Sequence, residues 1–129
     1  NENIAEPEAA AMFLRKFKTA LRGIGKAIHE EATLRVMLVC CALVIAAGFL
    51  LRVTLLEWAV LMLCSGAALS AEIINTAIER VVNLASPEKN PLAGAAKDIA
   101  AGAVLTLSVF AAAVGLIIFI PYIIALLAG

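Results

Sequence analysis

The chain has 129 residues, 64% of them hydrophobic, and a mean hydropathy of +1.03, well outside the roughly 45–50% apolar usage of ordinary soluble domains. Ten basic and ten acidic residues cancel, so no bulk charge argues for nucleic acid, and a single copy this small cannot build a large water-filled cleft. What remains is a small one-domain integral membrane protein, in which any active site is shallow or shared between subunits.

Residues Asn1 to Ala11 are acidic and carry Pro7, which predicts a frayed terminus. From Met12 to His29, Phe13, Phe17, Ala20, Leu21, Ile24 and Ile28 recur at helical spacing, opposed by Arg15, Lys16, Lys18, Arg22 and Lys26. That pattern predicts a basic amphipathic helix over 12–29, suited to the interface beside anionic lipid. Gly23 and Gly25 suggest a bend or close contact near its end. No cleavable signal is expected, because the first apolar run follows polar and amphipathic sequence.

Three spans follow. The first is expected over 34–51, entered through Glu30, Glu31 and Arg35 and ended by Arg52. The second is expected over 55–84, with Glu57 and Trp58 at an interface. Residues 85–96 form a polar connection, with Pro87 and Pro91 as breakers, and Lys97 and Asp98 open a third span over 97–127. On that span Gly94, Asp98 and Gly102 recur every four residues, a narrow face for helix packing, while Pro121 and Tyr122 mark a kink or an end. Cys40, Cys41 and Cys64 lie in apolar helix without CxxC spacing, so neither a disulfide nor a zinc site is expected. The expected fold class is an all-α membrane protein, three transmembrane helices preceded by an N-terminal amphipathic interfacial helix.

Arg15, Lys16, Lys18, Arg22, Lys26 and Arg35 precede or open the first span, and Arg80, Lys89 and Lys97 flank the second connection; the loop between the first two spans holds only Arg52. The positive-inside rule places the N-terminus and the second connection in the cytoplasm.

The second span carries Glu72, Asn75, Glu79 and Asn83. At 100° per residue these four fall within an arc of roughly 80°. An ionised carboxylate beside hydrocarbon is costly unless it is paired, protonated, hydrated or bound to a cation. Two of them about 10 Å apart along one edge, with an amide between, suit divalent-cation and acid/base chemistry. The plainer alternative is that the helix end has emerged into water. Phosphoryl transfer needs a cation on the phosphates, a positive side chain and often a carboxylate to take the hydroxyl proton. Glu31, Glu72, Glu79, Asp98, Asn75 and Lys97 supply those types near the cytoplasmic face, without a Walker loop or a Gly-rich nucleotide loop.

Glu-x-x-Asn-Thr-Ala-Ile-Glu from Glu72 to Glu79, then Pro91-Leu92-Ala93, Ala96-Lys97-Asp98 and Ala100-Ala101-Gly102-Ala103-Val104, closely resemble the bacterial integral-membrane diacylglycerol kinase and undecaprenol kinase family. The resemblance implies a homotrimer in the bacterial cytoplasmic membrane, with sites at the cytoplasmic interface shared between neighbours. It implies Glu72 as general base toward the lipid hydroxyl, Glu31 and Glu79 as Mg²⁺ ligands, and Asn75 as a positioning group. Lys97 and Asp98, with Asn83, would contact ATP. Asn83 stands where an Asp is usual, Asn90 where a His is common, Gly94 where a basic residue often precedes the Lys-Asp pair, and Met37 where a polar residue is frequent. These departures bear on nucleotide affinity and pH dependence. Thr76, the Asn-Pro-Leu-Ala stretch and the Gly115 to Pro121 ending look like the Gram-positive-type branch, in which undecaprenol is favoured over diacylglycerol. Two further readings are a small proton-coupled transporter and a non-catalytic assembly subunit whose polar edge joins helices.

Overall fold

A computed structural model describes residues 5–129. It contains four α-helices: α1 (Glu6–Glu30), α2 (Ala32–Leu51), α3 (Leu55–Ala85) and α4 (Pro91–Ala128). The last three are long and apolar enough to cross a membrane. The expected all-α class with three spans after an amphipathic helix is therefore the architecture found.

Helix α1 starts at Glu6, well before the expected Met12, because Pro7 lies in its first turn, where a missing N–H costs nothing, and Glu6 and Glu8 favour the positive helix start. The part of the expected frayed terminus before Ala5 lies outside the described residues. Helix α1 runs on through Gly23 and Gly25, and a Cβ at either would meet no atom within 4 Å, so the expected close contact is not made there among the described residues. The break comes at Glu31, the single non-helical residue between α1 and α2 (φ −110°, ψ 108°).

Helix α2 ends where Arg52 turns left-handed (φ 54°), with its N–H on the Gly48 carbonyl. Thr54 then opens α3 through a capping box: its hydroxyl accepts from the Glu57 N–H at 3.2 Å, and its own N–H donates to Glu57 Oε1 at 2.9 Å. The Tyr122 hydroxyl on α4 donates to the same Glu57 oxygen. Around this corner lies the main apolar cluster, Val53, Leu61 and Ile118, with Trp58, Val114 and Phe119 packed against it. Trp58 covers Gly48 closely and stacks at a tilt on Phe49, ring centroids 4.8 Å apart.

Helix α4 begins at Pro91, not at Lys97. The Asn90 side chain accepts from the Leu92 and Ala93 N–H groups at 2.8 and 3.4 Å, and Pro91 occupies the first helical position, so Pro91 starts a helix instead of breaking one. Neither Pro121 nor Tyr122 ends it, since the helix runs on to Ala128. Cβ atoms at Gly94 and Gly102 would meet nothing within 4 Å, so the expected small-residue face receives no helix among the described residues.

The α2–α3 and α3–α4 connections are short, so α3 runs antiparallel to both neighbours. At 1.5 Å per residue the 20 residues of α2 rise roughly 30 Å, about one hydrocarbon thickness. The same climb along α3 reaches the turn that holds Glu72. Residues beyond it, to Ala85, carry the α3–α4 pair roughly 15 Å past the start of α2.

Candidate functional site

On α3 the expected polar edge turns inward. Glu72, Asn75 and Thr76 are its buried polar residues, 5%, 7% and 5% exposed, among helices that otherwise bury apolar atoms. The Thr76 hydroxyl donates to the Glu72 carbonyl at 3.0 Å, one turn back. Asn75 Nδ2 donates to Glu79 Oε1 at 3.2 Å, fixing the partly exposed carboxylate above it. Asn75 Oδ1 is buried and meets no donor among the described residues. A buried acceptor without a partner loses its hydration with nothing in return, so it points to a group that arrives with a ligand.

Glu31 stands at the α1–α2 break, and its neighbour Glu30 pairs with Arg80, the neighbour of Glu79, so the break lies against this part of α3. The acids thus come from two chain segments, although no group of three His, Cys, Asp or Glu side chains that could hold a metal ion is found among the described residues. Hard carboxylate and amide oxygens suit Mg²⁺, which binds through one or two carboxylates, keeps several waters and takes its other oxygens from phosphates. Glu31, Glu79 and the unpartnered Asn75 Oδ1 fit that requirement.

Beyond the acids, the α3–α4 connection encloses a groove of about 580 Å³ whose lining includes Asn83, Glu88, Lys89, Asn90, Gly94 and Lys97. Asn83 and Lys97, expected together, are thus together. Asp98 is exposed on α4 and is outside the lining, as are Glu72, Asn75, Glu79 and Glu31. Along α3, Asn83 stands roughly 16 Å beyond Glu72. The site has two levels: acids at the depth where α2 begins, and a groove with two lysines against one glutamate further out. A cation bound to a polyphosphate matches both, since each level attracts one of its charges.

The profile of the prokaryotic diacylglycerol kinases matches residues 18–119. The chain belongs to that family. Among its relatives, the undecaprenol kinase of Bacillus subtilis is 38% identical over 109 residues, covering 84% of this chain and 89% of that one. A diacylglycerol kinase of Synechocystis is 34% identical over 121 residues, covering 93% and 69%. One from Helicobacter pylori is 33% identical over 102 residues, covering 77% and 80%. The family resemblance read from the Glu72 to Glu79 motif is thereby established for most of the chain.

Several contacts that shape this kinase-family site are not foreshadowed by the motif. Arg35 Nη1 donates to the Ile28 and His29 carbonyls at 2.8 and 2.7 Å, Arg80 pairs with Glu30, and Lys89 joins Lys97 at the groove. Arg80 directly follows the motif and Lys89 sits in the polar connection, so both are visible as charges. Their partners are not, because Glu30 is far from Arg80 in sequence. The Thr54 to Glu57 spacing, by contrast, is a capping-box pattern legible in the residues themselves.

Proposed function

We propose that this protein transfers the γ-phosphoryl group of ATP to the hydroxyl of a membrane lipid alcohol, undecaprenol in preference to diacylglycerol, at the cytoplasmic face of the bacterial plasma membrane. The observation that carries the reading is Glu72: a buried carboxylate at the depth where the first span begins, without a basic partner among the described residues, beside an unpartnered amide oxygen. A lipid hydroxyl lies at that depth, so Glu72 can accept its proton as the oxygen attacks phosphorus. Lys97 and Lys89 hold the phosphate chain in the groove, with Asn83 as a neutral hydrogen-bonding group at its wall, and Asp98 stands beside Lys97 for the nucleotide's hydroxyls. Asn75 orients Glu79, and Glu79 and Glu31 would hold Mg²⁺. When bound with ATP, that ion supplies charge neutralisation on the phosphates.

The similarity to the Bacillus subtilis undecaprenol kinase supports the polyprenol as acceptor. A homotrimer belongs to the same proposal, because an acid edge outside the groove is completed best by a neighbouring subunit. Family membership sets aside the transporter and assembly-subunit readings. The test is transfer of radiolabelled phosphate from ATP in mixed micelles, with undecaprenol and diacylglycerol as parallel acceptors. Transfer to undecaprenol should exceed transfer to diacylglycerol, and Glu72→Gln should lower turnover by about 10²- to 10⁴-fold. A folded protein that phosphorylates neither lipid with Mg²⁺ present overturns the proposal.

A further inference from the structure

We propose that Arg35 and the Glu30–Arg80 pair are positioning residues that clamp the α1–α2 break and so hold Glu31 beside the acid edge of α3; this rests on the lipid-kinase reading. Helix α1 is a 25-residue lever whose only buried residue is Ala27, near its end. It joins α2 through one residue, and that hinge residue is Glu31 itself. Any swing of the lever changes the φ and ψ of Glu31 and carries its carboxylate away. A carboxylate meant to share a ligand with α3 therefore needs its hinge tied.

Two ties are present. Arg35 bridges the hinge from the α2 side: its backbone N–H donates to the Glu31 carbonyl at 3.3 Å, and its guanidinium donates to the Ile28 and His29 carbonyls. Those carbonyls belong to the last turn of α1, where no helical N–H reaches them and where a cation is favoured. Arg35 Nη1 reaches both carbonyls at once, at the end of a side chain longer than that of lysine. The second tie joins helices: Glu30 pairs with Arg80 on α3, with side chains 39% and 43% exposed. The pair joins the neighbour of Glu31 to the neighbour of Glu79, so it sets the two acids in register. It also neutralises one carboxylate beside an already acidic cluster. Being half exposed it holds less firmly than the arginine on the two carbonyls.

The test measures Mn²⁺ binding by the loss of the free-ion EPR signal, and amide hydrogen exchange over residues 28–34, on the full chain in micelles. Arg35→Gln should weaken Mn²⁺ binding about tenfold and speed exchange at the hinge, with Arg35→Lys between it and the wild type. Arg80→Glu should weaken binding about threefold, and the swapped pair Glu30→Arg with Arg80→Glu should restore it. In the phosphoryl-transfer assay the same variants should raise the metal concentration for half-maximal rate and leave the lipid KM unchanged. Wild-type Mn²⁺ affinity and exchange in Arg35→Gln, or a swapped pair no better than Arg80→Glu alone, overturns the clamp. A wild type that transfers no phosphate defeats the kinase reading, and the hinge exchange rates then still decide the clamp.

Discussion

Replacing Asn75 by Asp separates two roles for the buried amide. The substitution keeps size and shape but puts a carboxylate oxygen where Nδ2 now donates to Glu79 at 3.2 Å. Two unit negative charges at that separation repel by about 5 kcal/mol at an effective dielectric of 20. Removing the amide altogether, in Asn75→Ala, loses only a hydrogen bond to a charged group, about 1.5–3 kcal/mol. If the amide works by holding Glu79, Asn75→Ala should lose about ten- to a hundredfold in phosphoryl transfer. Asn75→Asp should lose more than a thousandfold and release Glu79 from its position. The assay is the micellar transfer of phosphate from ATP, with Mn²⁺ affinity measured in parallel on protein shown to be folded by circular dichroism. If Asn75→Asp is the more active of the two, the reasoning fails: a carboxylate that serves as well as the amide means that the oxygen of residue 75, as a cation ligand, is the working atom.

Glu79→Gln keeps the acceptor for Asn75 and removes the charge, so it should raise the divalent-ion concentration for half-maximal rate at least tenfold with lipid KM unchanged, measured by metal titration. Gly48→Ala brings a methyl group to 2.5, 2.8 and 3.0 Å from three Trp58 ring atoms. Overpacking should outweigh the better helix propensity of Ala and destabilise the fold by about 1–2 kcal/mol in detergent-unfolding titrations, an effect that Trp58→Leu should suppress. Tyr122→Phe removes the tie from α4 to the α3 capping box, so amides near Glu57 should exchange faster while turnover per folded protein stays the same, because Glu57 lies roughly 22 Å along α3 from Glu72.

The spans are legible because an uninterrupted apolar run of membrane length is rare in chains that fold in water, and the acids stand out because the same runs should exclude them. Helix ends are less legible where one residue type has two meanings. Pro91 carries the signature of a breaker and that of a first helical residue, and only Asn90 capping Leu92 and Ala93 decides between them. Glycines mislead for a related reason: Gly23, Gly25 and Gly102 permit close approach without requiring it, whereas Gly48 has Trp58 against it and nothing in its sequence neighbourhood says so. The edge of Glu72, Asn75, Glu79 and Asn83 is visible from angular spacing alone. Its division into a buried level and an outer groove is not, because burial depends on where α2 begins beside α3. Arg35 over the α1 carbonyls and Arg80 on Glu30 arise only once the chain has turned at Glu31, a turn that no Gly or Pro announces.

The shortest span acts as a ruler. With only 20 residues between its ends, α2 has little slack to tilt within a bilayer of ordinary thickness, and Arg35 and Arg52 mark its two ends. The part of α3 beyond Glu72 carries Glu79, Arg80 and Asn83 and can extend into water, so the length of α2 bears on how high Glu72 rides above the hydrocarbon. Lipids with longer acyl chains would submerge that carboxylate and shorter ones would lift it toward water. Membrane thickness thus bears on how far that carboxylate is hydrated, independent of any residue that touches it.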